Sequence, residues 1–129
     1  MKTVYVSHSS GFDYINDLYR PIRESILNSK YYIILPHEKD RQLYESKKLF
    51  REMCDFLVVE ASYPKIGVGI EIGWADAFAV PVISMHKSGI ELSDSLSSLS
   101  EETFEYISID GMIQKLGDAL KRCSSKHSD

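Results

Sequence analysis

Asp55-Phe56-Leu57-Val58-Val59-Glu60-Ala61-Ser62-Tyr63-Pro64-Lys65-Ile66-Gly67-Val68-Gly69-Ile70-Glu71 is the stretch from which the fold is read. Phe56 to Val59 is continuously apolar, the pattern of a strand buried on both faces of a parallel sheet. A polar loop follows, and two glycines open a helix that Ile70, Trp74, Ala77 and Phe78 continue at helical spacing.

Outward from this centre, strand and helix signals alternate. Thr3-Val4-Tyr5-Val6 is β-branched and aromatic and stops at Ser7-His8-Ser9-Ser10-Gly11. Ile15, Leu18, Tyr19, Ile22 and Ile26 follow at helical spacing, with Pro21 inside the pattern to kink or delay the helix. Tyr31 to Leu35 is a second strand, ended by Pro36. Leu43, Leu49, Phe50 and Met53 mark a second helix. Val80 to Met85 and Phe104 to Ile109 read as the fourth and fifth strands, and Ile113, Leu116 and Leu120 as a closing helix. Strands alternating with helices predict a flavodoxin/Rossmann-like three-layer α/β sandwich around a five-stranded parallel sheet of order 2-1-3-4-5. The expected domain runs over 1–122, with 123–129 as a disordered tail.

Ligands of such sheets bind beyond the carboxyl ends of the strands, where the order reverses between strands 1 and 3. That directs attention to Ser7, His8, Ser9 and Gly11, and to the loop from Glu60 through Lys65, Gly67 and Gly69 to Glu71. The glycines permit close approach of a ligand to the backbone. Free N–H groups at the helix start suit an anion or a sugar. Glu71, read as lying in the first helical turn, would gain roughly 0.3–1 kcal/mol from the helix dipole even with no chemical role. The spacing is not a dinucleotide fingerprint, because no third glycine stands in place.

Composition narrows the function classes. Of 129 residues, 43% are apolar, enough for a core. The formal net charge of −4 argues against a nucleic-acid groove, which needs a basic stripe, but not against a small phosphorylated ligand. Cys54 and Cys123 are far apart and make no metal or redox motif, and no His or carboxylate spacing suggests a metal site. No metal and no cofactor are expected. Met1-Lys2-Thr3 runs straight into a strand without a leader pattern, and no apolar run would span a bilayer. A cytoplasmic protein with no membrane partner is the expectation.

Asp55, Glu60, Pro64, Gly67-Val68-Gly69, Glu71, Gly73, Ala75 and Pro81-Val82-Ile83 together resemble the signature of the nucleoside 2-deoxyribosyltransferase family, which includes 2′-deoxynucleoside 5′-phosphate N-hydrolases. The resemblance spans most of residues 2–86. It implies cleavage or transfer at the N-glycosidic bond of a nucleoside or nucleoside 5′-phosphate, with Glu71 as nucleophile and Tyr5 at the catalytic centre. It further implies that Ser9 helps to hold a 5′-phosphate and that the chain forms a homodimer or higher homo-oligomer. Leu35-Pro36-His37-Glu38 is similar to the end of the family's second strand.

Three positions depart from the pattern. Where relatives carry a catalytic Asp before Asp55, this chain has Ser46-Lys47-Lys48, leaving Glu45, Glu38 and His8 as candidate proton donors. Lys65 stands where a Ser often follows the loop proline. A phosphate-contacting Ser supplied by a neighbouring subunit has only Ser93 or Ser95 as counterpart. Val4-Tyr5-Val6-Ser7-His8-Ser9-Ser10 also resembles the opening of Toll/interleukin-receptor-type domains, some of which cleave NAD, although the Gly-Val-Gly-Ile-Glu turn suits the first family better. The third alternative is a module that binds a nucleotide or ADP-ribose-type signal without cleaving it.

Overall fold

The computed structural model describes residues 1–38 and 45–127. Five strands, β1 (Thr3–His8), β2 (Tyr32–Ile34), β3 (Phe56–Glu60), β4 (Val82–Lys87) and β5 (Glu102–Tyr106), form one sheet. All neighbours are parallel and the order is β2-β1-β3-β4-β5, as the alternating pattern predicts.

Side chains alternate across a strand, so each strand serves two cores. Val4, Val6, Phe56, Val58, Ile83 and Met85 face one layer of helices, α1 (Arg20–Arg23), α2 (Leu27–Lys30) and α6 (Ile109–Lys126). Tyr5, Leu57, Val59 and Val82 face the other, built from α3 (Ser46–Glu52), α4 (Ile66–Ala77) and α5 (Asp94–Leu99). The central residues Phe56, Leu57, Val58 and Val59 are all 0% exposed, which accounts for the unbroken apolar run. Asp55 ties the amino-terminal end of the sheet, its carboxylate accepting the Thr3 N–H at 2.7 Å.

Several boundaries differ from the sequence reading, each for a local reason. The helix after β1 is broken: a π-helical turn over Ile15–Tyr19 leads into α1 with Pro21 near its start, and Ile26 is exposed. Proline has no N–H for the preceding turn, so the regular ladder cannot run through it. The fifth strand ends at Tyr106 because Ser108 caps α6, accepting the Gly111 N–H at 3.0 Å, and this leaves Ile107 in solvent. The expected disordered tail over 123–129 is corrected in part. Helix α6 continues to Lys126 because Cys123 is a buried position on its apolar face, one turn beyond Ala119 and Leu120. Residues 128–129, like Leu43, lie outside the described residues. No helix among the described residues is long and apolar enough to cross a membrane.

Candidate active site

The carboxyl ends of β1 and β3 part where the sheet order reverses, and α4 begins above them. Helix α4 starts at Ile66, so Glu71 stands in its second turn rather than the first. The dipole of a helix start fades within one turn. Something else must hold this half-buried carboxylate, and strand β1 does so. Tyr5 and Ser7 are two residues apart and share a face. The Tyr5 hydroxyl donates to Glu71 Oε2 at 2.7 Å and the Ser7 hydroxyl to Oε1 at 2.8 Å. Each carboxylate oxygen thus receives one fixed donor and keeps lone-pair capacity toward the cavity.

Tyr5 is 2% exposed, and its ring meets Phe50 edge-on at 5.0 Å. Burial, followed by the charge of Glu71, raises its phenol far above the ordinary tyrosine range. Tyr5 therefore keeps its proton and acts as a donor, not a base. A cavity of about 410 Å³ opens over the Glu71 carboxylate, walled among others by Pro36, His37, Ser46, Ile70 and Trp74. Ser10, Lys65 and Gly67 also line it, with Lys65 Nζ donating to Ser10 Oγ at 2.8 Å. The start of α4 has no side-chain cap, and a methyl group on Gly67 would meet nothing within 4 Å. Helix–sheet packing does not demand that glycine; it leaves open space beside uncapped N–H groups.

His8 also lines the cavity, but its imidazole is committed. Nδ1 lies 2.7 Å from the Ser9 carbonyl and must donate to it, while Nε2 accepts from the Tyr19 hydroxyl at 2.5 Å. Burial lowers its pKa below the ordinary histidine range. The native protein therefore binds fewer protons at His8 than the unfolded chain does. This contribution to stability is complete above the unfolded value of about 6.5 and is lost as pH falls through the native one. Urea unfolding at pH 7.5 and pH 5 should show wild type losing more stability than His8→Asn between the two. Equal losses would mean that His8 carries no such linkage.

The remaining positions singled out in the sequence fall elsewhere. Glu60 shares the face of Phe56 and Val58, so its carboxylate points away from Glu71. It is 1% exposed and accepts the Ser62 N–H at 2.6 Å, the Ser62 hydroxyl and the Tyr106 hydroxyl. Its position is that of a clamp between the β3–α4 loop and β5 rather than a cavity wall. Ser9 is buried and accepts the Gly11 N–H at 2.9 Å, shaping the loop; neither residue reaches the cavity wall. Gly69 faces a second hollow, which Ser93 also lines, and Ser93 caps α5 by accepting the Leu96 N–H.

Of the three candidate acids, His8 has both ring nitrogens occupied. Glu38 takes two hydrogen bonds from Arg23, at 2.8 and 2.9 Å. Glu45 lines an adjacent hollow with Lys47, Lys48 and Arg51. Ser10, His37 and Ser46 are among the cavity residues to which the sequence analysis gives no site role. In the sequence His37 stands as a strand-end histidine and Ser46 as part of a departure from the family pattern. The signal for His37 was its place directly after Pro36, at the carboxyl end of β2.

No protein-family model matches the chain. Over 52 residues it is 36% identical to a putative 2′-deoxynucleoside 5′-phosphate N-hydrolase of Syntrophotalea carbinolica. The match covers 40% of the chain, and the chain spans only 37% of that relative's length. In fold it is similar to a CMP N-glycosidase of Clostridium botulinum, with a TM-score of 0.62 at 21% identity, over 90% of this chain and 99% of the other. A putative pilus assembly protein of Burkholderia thailandensis gives a TM-score of 0.55 at 15% identity, over 97% and 99% of the two chains. The sheet layout is thus shared by proteins of different description, and the sequence match is what narrows it. The signature from Asp55 to Pro81 resembles that of the nucleoside 2-deoxyribosyltransferase family, and over the 52 matched residues the chain is similar to an N-hydrolase.

Proposed function

We propose that the protein cleaves the N-glycosidic bond of a nucleoside 5′-monophosphate, with Glu71 as nucleophile. The observation that carries this reading is the Glu71 carboxylate, held by Tyr5 and Ser7 at the switch point of the sheet and open to a nucleotide-sized cavity. The descriptions of the two similar proteins, an N-hydrolase and an N-glycosidase, support the reaction class.

Cleavage at C1′ passes through an oxocarbenium-like state, which a carboxylate beneath the ring stabilises and then captures. A Glu71 oxygen bonds to C1′ as the C1′–N bond breaks, and the electron pair leaves with the base. The base then needs a proton. Among the described residues on the cavity wall, His37 is the titratable side chain best suited to give it. His37 is exposed, its ring edge-on to His8 at 5.5 Å, while its backbone N–H anchors on the Tyr19 hydroxyl. Water then attacks C1′, returning the carboxylate and releasing the sugar phosphate and one proton. Incubating the protein with a mixture of ribo- and deoxynucleoside 5′-monophosphates and following free base by chromatography tests the reading. No base from any of them would overturn it.

The 5′-phosphate is assigned to the part of the cavity lined by Lys65, Ser10 and the start of α4. A phosphate there would take a charge-assisted hydrogen bond from Lys65 and N–H groups from the helix. Because Lys65 is exposed, the expected effect of Lys65→Ala is a rise of roughly tenfold in KM for a nucleotide, with little change for its nucleoside. Equal changes for both would make Lys65 a solvated surface residue.

A further inference from the structure

We propose that Ser46 is a positioning residue for this reaction, holding Tyr5 with its phenol proton turned onto Glu71; the proposal rests on the nucleotide-cleaving reading. A count of protons fixes the direction of the chain. Tyr5 Oη lies 2.7 Å from Glu71 Oε2 and 3.1 Å from Ser46 Oγ. A phenol has one proton, and a carboxylate can only accept. The proton therefore lies toward Glu71, and Ser46 must donate to Tyr5. Were Tyr5 to donate to Ser46 instead, the 2.7 Å contact would set a phenol lone pair against a carboxylate. The chain runs Ser46 to Tyr5 to Glu71, with Ser7 donating independently to the other carboxylate oxygen.

Helix α3 supplies both restraints on Tyr5. Ser46, its first residue, meets the hydroxyl, and Phe50, one turn later, meets the ring edge-on. Donation to the phenol oxygen polarises the Tyr5 O–H and strengthens its bond to Glu71. The direction is consistent with the Tyr5 acidity, since the Ser46 hydrogen bond opposes the upward push of burial and of Glu71. Having given its proton to Tyr5, Ser46 turns only lone pairs toward the cavity. It aligns the nucleophile and does not protonate the leaving base.

Two readouts test this, one of them independent of turnover. In protein labelled at the tyrosine Cζ carbons, the Tyr5 resonance, assigned by its loss in Tyr5→Phe, should move in Ser46→Ala and return toward wild type in Ser46→Thr. Single-turnover release of base from the nucleoside 5′-monophosphate mixture should slow roughly threefold to tenfold in Ser46→Ala, as for loss of one hydrogen bond, with KM little changed. Ser46→Thr should recover most of that loss. In a Tyr5→Phe background, Ser46→Ala should cost nothing further. An unmoved Tyr5 resonance, wild-type rates in Ser46→Ala, or the same loss in both backgrounds would each overturn the proposal. Failure of wild type to release any base would instead remove the nucleotide-cleaving reading, and this role with it.

Discussion

Glu71→Gln should abolish glycosidic cleavage, lowering the rate by at least roughly 10³-fold, while leaving the fold intact. The amide is nearly isosteric with the carboxylate, so the loss would come from chemistry rather than packing. It has no negative charge to stabilise an oxocarbenium-like state, and its oxygen forms no stable bond to C1′. The donor pattern changes as well. Tyr5 and Ser7 both donate to Glu71 in the wild type. A glutamine offers them one carbonyl and one NH₂, so one hydroxyl must rotate to accept. Tyr5 is the one able to do so without loss, because reversing it lets Ser46 accept in turn. Thermal unfolding followed by circular dichroism should therefore place the variant within a few degrees of wild type, as expected for a ΔΔG of about 1 kcal/mol or less in a chain of this size. Free base measured by chromatography under single-turnover conditions gives the rate. A folded Glu71→Gln protein with near-wild-type turnover would exclude Glu71 as nucleophile.

The sheet and one side of the site were legible in the sequence because both follow from periodicity. The run from Phe56 to Val59 announces a strand covered on both faces, and strand parity then sorts what its ends present. Tyr5 and Ser7 have one parity and meet Glu71; Glu60 has the parity of Phe56 and Val58 and faces the α6 side. The same parity applies to Glu60, whose place at the start of the loop by itself suggests a ligand contact. Ser9 and Gly11 stand off the described cavity wall for a different reason. A polar loop at a strand end reads as a binding loop, and nothing in the letters shows that Ser9 turns inward to hold the Gly11 N–H. Ser46 and His37 were not legible as cavity residues. They come from the segments on either side of residues 39–44, and no repeat of 2 or 3.6 connects them to β1. Only the tertiary fold brings the start of α3 within hydrogen-bond distance of Tyr5. Lys47 and Lys48, in the stretch where the family carries its acid, line the neighbouring hollow instead.

On the proposed reading, that displacement leaves His37 as the candidate general acid. A base leaving with a full negative charge is a poor leaving group, and help from a general acid is typically worth roughly 10²–10⁴-fold. The hydroxyls nearest Glu71 cannot give it. Tyr5 and Ser7 donate to Glu71 itself, and burial holds the Tyr5 phenol far from ionising. His8 is fixed between Ser9 and Tyr19. His37 shares the wall with Glu71, and an imidazole can hold and give a proton at a ring nitrogen. Around it stand His8 and Tyr14 at ring distance, and the Tyr19 hydroxyl under its backbone N–H; the Arg23–Glu38 pair follows at the next residue, and Lys65 and Glu71 share its cavity. His37→Gln should then lower kcat by roughly 10²-fold or more for a base that leaves poorly, and by much less for one that leaves easily. A series of nucleotides graded by leaving-group acidity measures this directly: the dependence of rate on leaving group should steepen in the variant. A loss of the same size for every base would show that His37 binds the base without giving it a proton, and the proton would have to come from water.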